Sequence, residues 1–116
     1  MRKLLSLLVL CWLPALSLGT DPTSAPLRRI AFGSCAHQNK PQPIWESVTA
    51  LKPDVFLFLG DNIYADTNDM AVMKKKYDQL AANPGYKQLK QTCKILATWD
   101  DHDYGKNDGD ARFPFK

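Results

Sequence analysis

Apolar positions follow two alternating spacings along the chain, and the order of those spacings predicts a parallel α/β unit. Residues 29–35 (RIAFGSC) alternate apolar and small side chains before a Gly-Ser turn, predicting a strand over 29–33. A Pro-flanked loop follows, and Pro43 is suited to the first position of a helix. Ile44, Val48 and Leu51 then recur at i, i+4 and i+7 with Trp45 alongside, predicting a helix that Pro53 stops. Residues 54–60 (DVFLFLG) form a continuous apolar run, as expected of a strand covered on both faces within a parallel sheet. Residues 61–69 (DNIYADTND) are a polar connection with several potential helix caps. Met70, Met73, Tyr77 and Leu80 predict a helix ending at Asn83-Pro84-Gly85, and Tyr86 and Leu89 a further turn or two. Residues 93–99 (CKILATW) predict a third strand, which opens onto the aspartate-rich loop 100–110. Strand, helix, strand, helix, strand with short connections builds a right-handed parallel sheet.

The first residues follow neither spacing. Met1-Arg2-Lys3 is a basic start, residues 4–18 (LLSLLVLCWLPALSL) are apolar, and Ser17-Leu18-Gly19 has a small-x-small pattern. That arrangement describes a secretory signal peptide over 1–19, cleaved after Gly19, with a Pro-, Ser- and Thr-rich linker over 20–28. A membrane anchor needs about 20 apolar residues, and Pro14 interrupts this run. The expectation is a secreted or periplasmic protein with no stable membrane anchor after cleavage.

The leader also changes the charge. The chain has 116 residues, 45% hydrophobic and 23% charged, with a formal charge of +3. Two of the 15 basic residues lie in the leader, so 13 remain against 12 acidic ones. Such a near-neutral domain carries no electrostatic signal for nucleic acid or an anionic membrane. About 95 residues follow the leader, enough for a small core, although domains of that size bury only about two-thirds of their unfolded surface. Two cysteines remain, Cys35 after the first strand and Cys93 at the start of the third. Strands of five or six residues separate those sheet edges by about 17–20 Å, whereas a disulfide needs Cα atoms within about 7 Å. Cys35 is thereby available for another role.

Metal-ligand residue types follow each strand. Cys35 and His37 come after the first, Asp61 and Tyr64 after the second, and Asp100, Asp101, His102 and Asp103 after the third. In a parallel sheet these loops emerge together at the carboxyl edge, where open α/β folds place their ligands. Carboxylates gathered there repel one another unless cations or retained protons balance them, which points to a metal site. Oxygen donors suit hard cations, imidazole borderline ones and thiolate softer ones, so the mixed set predicts two unlike metals. Singly, each residue has a plainer reading: Asp61 as a turn, Cys35 as a small buried hydrophobe, Tyr64 as packing, His37 as solvated, and residues 100–103 as an acidic loop. Their agreement across three strand ends is what favours a site. An EF-hand over residues 101–112 is excluded, because its glycine falls at position 5 and Arg112 stands where Glu is required.

Gly33-Ser34-Cys35, Gly60-Asp61-Asn62-Ile63-Tyr64 and Trp99-Asp100-Asp101-His102-Asp103 together resemble the amino-terminal motifs of the alkaline phosphatase D family of metallophosphoesterases. The resemblance runs over residues 29–116 and implies a four-layer αββα sandwich, of which this chain would be the amino-terminal βαβαβ part. It implies that Asp61 bridges two metals and that Cys35 and Tyr64 bind one of them, ferric iron (Fe3+), with calcium (Ca2+) beside it. Asp101 then stands where the wider superfamily has a metal-binding asparagine, and His102 where it has the histidine that assists at the phosphoryl group. The implied reaction is hydrolysis of a phosphate ester by a metal-activated hydroxide, with His102 protonating the leaving oxygen. Asn107, Asp108, Arg112 and Lys116 are further candidates for ligands or phosphate contacts.

Metallophosphoesterase sites are completed by histidines from a second half, and this chain has only His37 and His102. The expectation is therefore an apparently truncated phosphatase. A noncatalytic secreted metal-binding or interaction protein derived from such a phosphatase, or a poorly folding product, are the alternatives.

Overall fold

The computed structural model describes residues 26–114. The expected signal peptide over 1–19, most of the expected linker and Lys116 lie outside the described residues. The elements are β1 (Ile30–Gly33), α1 (Ile44–Ala50), β2 (Val55–Leu59), α2 (Met70–Ala82), α3 (Pro84–Thr92), β3 (Lys94–Thr98) and α4 (Asp101–Tyr104). The three strands form one parallel sheet in the order β1-β2-β3, with Phe32, Leu57 and Leu96 in register. The expected βαβαβ order is present. No helix among the described residues is long and apolar enough to cross a membrane.

Local chemistry explains most of the boundaries. Asp69 caps α2 by accepting from the backbone N–H of Ala71 and Val72 at 2.8 and 3.2 Å. Asn83 ends α2 and opens α3, its side chain accepting from Tyr86 N at 3.1 Å with Pro84 at the first position. That pair of signals makes α3 a full helix where the sequence predicted only a turn or two. At the amino edge, the Asp54 carboxylate accepts from Arg28 N and Arg29 N at 2.7 and 2.8 Å. Those two backbone bonds hold it below the usual carboxylate range.

The core lies on one face of the sheet. Each strand pairs with its sequence neighbour, and crossovers of a single hand put both helical connections on the same side. Phe56 and Phe58 of β2 point into that side and meet Trp45, Met73, Leu80 and Leu89 from the three longer helices. The Trp45 ring lies 5.6 Å from Phe56 and 5.4 Å from Tyr86. The expected apolar stripe of α1 is rotated as a result. Trp45 is buried and Val48 half-buried, while Ile44 and Leu51 face out.

The expectation that β2 is covered on both faces holds only for its first part: on the second face Val55 is buried and Leu57 half-buried, but Leu59 is exposed. Ile30, Phe32, Leu59 and Leu96 are exposed on the second face, Phe32 to 68%. The run is apolar on both sides, but the sequential strand order brings helices to only one of them.

Replacement of Leu89, which is fully buried, by alanine is expected to cost about 2–5 kcal/mol in urea denaturation. Leu96→Ser on the open face is expected to change stability by no more than about 0.5 kcal/mol while reducing fluorescence of a bound hydrophobic dye.

Candidate metal centre

All three strand-end loops converge at the carboxyl edge and are sewn together by backbone hydrogen bonds. Ala36 N donates to Asp61 O at 2.9 Å, joining the first loop to the second. Ala65 N donates to His102 O at 2.9 Å and Thr67 N to Gly105 O at 2.7 Å, joining the second to the third. Gly60 makes the close approach possible. Its φ is +103°, and a Cβ there would lie 2.7 Å from that of Asp100.

The donor atoms of Asp61, Asp101 and His102 all lie within 4.8 Å of one another. The two oxygens of Asp61 differ sharply in surroundings. Oδ2 accepts from the Cys35 thiol at 3.5 Å and the Tyr64 hydroxyl at 3.4 Å. Oδ1 is buried without a hydrogen-bond partner. A buried acceptor left unpaired costs about 1–3 kcal/mol, and adjoining carboxylates add repulsion. A cation would relieve both. Cys35, Asp61, Tyr64, Asp101 and His102 thus form one patch of soft, phenolic, carboxylate and imidazole donors, a mixed set that could hold a metal ion. Without a cation, the hydrogen bond with Cys35, followed by burial and the Asp61 charge, raises the Tyr64 hydroxyl well above its ordinary value. A tyrosinate ligand there depends on the cation's own charge.

The backbone is unusual at the same place. Cys35, Asp61, Asp66 and Asp108 have φ between 49° and 60°, four of the five described non-glycine residues with positive φ. Such conformations are disfavoured for side-chain-bearing residues and collect where a site over-determines the chain.

The remaining expected residues are placed otherwise. Asp103 is turned inward and is 2% exposed. Its carboxylate accepts from Ile63 N at 3.0 Å, Asp100 N at 3.0 Å and Asn62 Nδ2 at 3.2 Å. Burial raises its pKa, and the backbone bonds work against that rise. Asp103 is thus an internal tie between the loops, its carboxylate engaged with backbone and amide donors. Asp100 caps α4, its side chain accepting from Asp101 N at 2.9 Å while Asp103 closes a capping box. The loop expected over residues 100–110 therefore begins with a helical turn. His37 stacks on Tyr64 at 4.7 Å between ring centres, and Tyr64 lies 4.3 Å from the His102 ring. Its Nδ1 accepts from Asn39 N at 3.3 Å, so His37 supports Tyr64 from behind. Asn107 and Asp108 flank the patch through backbone N–H bonds, the first to Asp66 at 3.2 Å and the second to Asp101. Arg112 pairs with Asp110 at 2.6 Å.

Two supporting residues carried no sequence signal of their own. Asp66 Oδ1 lies 2.6 Å from His102 Nδ1, although its position in a polar connection read only as a potential cap. Gln38 is buried, accepting from Tyr64 N at 2.9 Å and donating to Tyr64 O at 3.2 Å. Only the fold brings that amide to the Tyr64 backbone.

No protein-family model, curated protein or solved structure matches the chain.

Burial lowers the His102 pKa, but the hydrogen bond and charge of Asp66 with the charges of Asp101 and Asp61 outweigh it, so the net direction is upward. The charged imidazole therefore contributes stability that is full below the unfolded value of about 6.5 and is lost as pH rises through the higher folded value. An NMR titration of the metal-free protein is expected to give a His102 midpoint above 6.5, falling in Asp66→Asn. Asp103→Ala, which removes the acceptor of the Ile63 and Asp100 N–H groups while Asn62 Nδ2 keeps its bond to Thr98 O, is expected to lower stability in urea denaturation by about 2–5 kcal/mol.

Proposed function

We propose that the chain is the amino-terminal part of a metal-dependent phosphoric ester hydrolase of the alkaline phosphatase D type, exported through its leader. The observation that carries this reading is the unpartnered, buried Asp61 Oδ1, set among Asp101, His102 and, through the other Asp61 oxygen, Cys35 and Tyr64. Asp61, with Cys35 and Tyr64 at one oxygen and Asp101 and His102 close by, would help to hold two unlike cations, ferric iron and calcium. When bound, such metals supply a hydroxide nucleophile near neutral pH and neutralise charge on a phosphoryl group.

The chain's own residues do the rest. Cys35, Asp61, Tyr64 and Asp101 would hold the cations. Asp66 fixes the His102 ring through Nδ1, leaving Nε2 as the atom that donates a proton to the departing ester oxygen. Asp66 thus acts as a positioning residue for His102 in the manner of carboxylate–histidine pairs elsewhere. The open apolar face of the sheet, with Phe32, Leu59 and Leu96 exposed, supports the finer assignment of this unit to one half of a four-layer αββα sandwich, since stacked sheets cover such faces.

A second reading has one observation in its favour. Among the described residues the donor patch contains a single imidazole, His102, which suits a metal-binding protein without turnover.

Measurement of bound iron and calcium by mass spectrometry, beside hydrolysis of 4-nitrophenyl phosphate and its bis-ester, separates the two. Asp61→Asn is expected to lose metal and turnover together. His102→Ala is expected to keep its metal and lose about 10²–10⁴-fold in kcat. Metal retained by the native protein without any hydrolysis would favour the noncatalytic reading, and no bound metal would sink both.

A further inference from the structure

A groove of about 400 Å3 runs between the carboxyl end of β1 and α1, within the range of small-molecule sites. Pro41, Pro43, Ile44, Trp45 and Val48 make it predominantly apolar. Cys35 and His37 also line it, and these same residues touch the candidate metal centre. The Cys35 thiol is 3.5 Å from the Asp61 carboxylate, and the His37 ring is stacked on Tyr64. Groove and centre therefore share a wall.

The floor is preformed. Trp45 Nε1 donates to Gln42 Oε1 at 2.7 Å, and Gln42 Nε2 donates to His37 O at 3.0 Å. That chain of bonds fixes the indole before any ligand arrives, which lowers the ordering cost of binding. Charge sets this groove apart from the other hollow beside the centre. Lys40 is the charged residue along the groove, with no carboxylate among the described residues lining it. The hollow of about 440 Å3 beside Asp66 is lined by Asp66, Asp108 and Asp110 as well as Lys106 and Arg112. An anionic molecule with an apolar end is better matched by the groove.

From this shared wall, apolar lining and single cation, we infer that the groove binds the apolar alcohol group of a phosphate ester, aryl or branched alkyl, whose phosphoryl end lies at the metal centre. The inference rests on the phosphoesterase reading and names its substrate class. Polar esters such as those of glycerol or sugars would leave the apolar walls exposed to water and gain nothing from them.

Two phosphonates that resist hydrolysis test this on the metal-loaded protein: 1-naphthylmethylphosphonate and methylphosphonate, with 1-naphthylmethanol as control. Calorimetry is expected to give the naphthyl compound at least about tenfold tighter binding, and NMR to show a shift of the Trp45 indole N–H with that compound only. Ile44→Glu and Pro41→Glu alter exposed residues of the groove and are expected to reduce the preference to less than about twofold with methylphosphonate binding unchanged. Equal affinity for the two phosphonates, or a preference that survives in both variants, would overturn the groove assignment and leave the phosphoryl reading standing. Naphthylmethanol binding as tightly as its phosphonate would also overturn it, because groove and centre would then act separately. Failure of both phosphonates to bind would remove the phosphoryl reading and the groove assignment with it.

Discussion

The buried Asp103 carboxylate is the tie on which the carboxyl edge of the sheet depends. Its oxygens receive Ile63 N and Asn62 Nδ2 from the loop after β2 and Asp100 N from the loop after β3. The Tyr77 hydroxyl of α2 lies 3.4 Å away on the same carboxylate. One side chain thus joins two loops and a helix, in a setting where each unpaired donor would be costly. Asp61 and Tyr64 lie immediately either side of the Asn62-Ile63 pair that it holds. Their positions, and with them the donor patch, follow from a residue that faces away from it.

The division of labour within Asp100-Asp101-His102-Asp103 comes from helical geometry. One turn of α4 sends Asp101 and His102 towards Asp61, while Asp100 and Asp103 complete the capping box around it. Four consecutive polar residues of similar chemistry therefore do two different jobs. The alternation of function is set by the turn's periodicity and by which side faces the loop after β2.

The strands and the two longer connecting helices were legible because each rests on local signals: apolar spacing, Pro43 and Pro53, the Asp69 cap, and the Asn83-Pro84 junction. Parallel order and the convergence of strand ends follow from that alternation. What the sequence could not carry was which apolar surface is covered. The runs at Phe32 and Leu96 read like core strands, yet both side chains are exposed, because covering depends on where the crossovers run. The donor patch was legible to the level of Cys35, Asp61, Tyr64, Asp101 and His102 brought to one edge. The roles of Asp66, Gln38 and Asp103 were not, since each depends on a contact across 26 to 40 residues of sequence that no local pattern encodes.

The sequential order of the strands has a kinetic meaning. Since β1 pairs with β2 and β2 with β3, the sheet can grow in the direction of synthesis, each new strand docking on the one made just before it. The loop after β2, which bears Asp61 and Tyr64, is made roughly 40 residues before the Asp103 that anchors it. A nascent chain would hold its sheet before its site, and the residues arranged around the orphaned Asp61 oxygen would be the last part of the unit to become rigid.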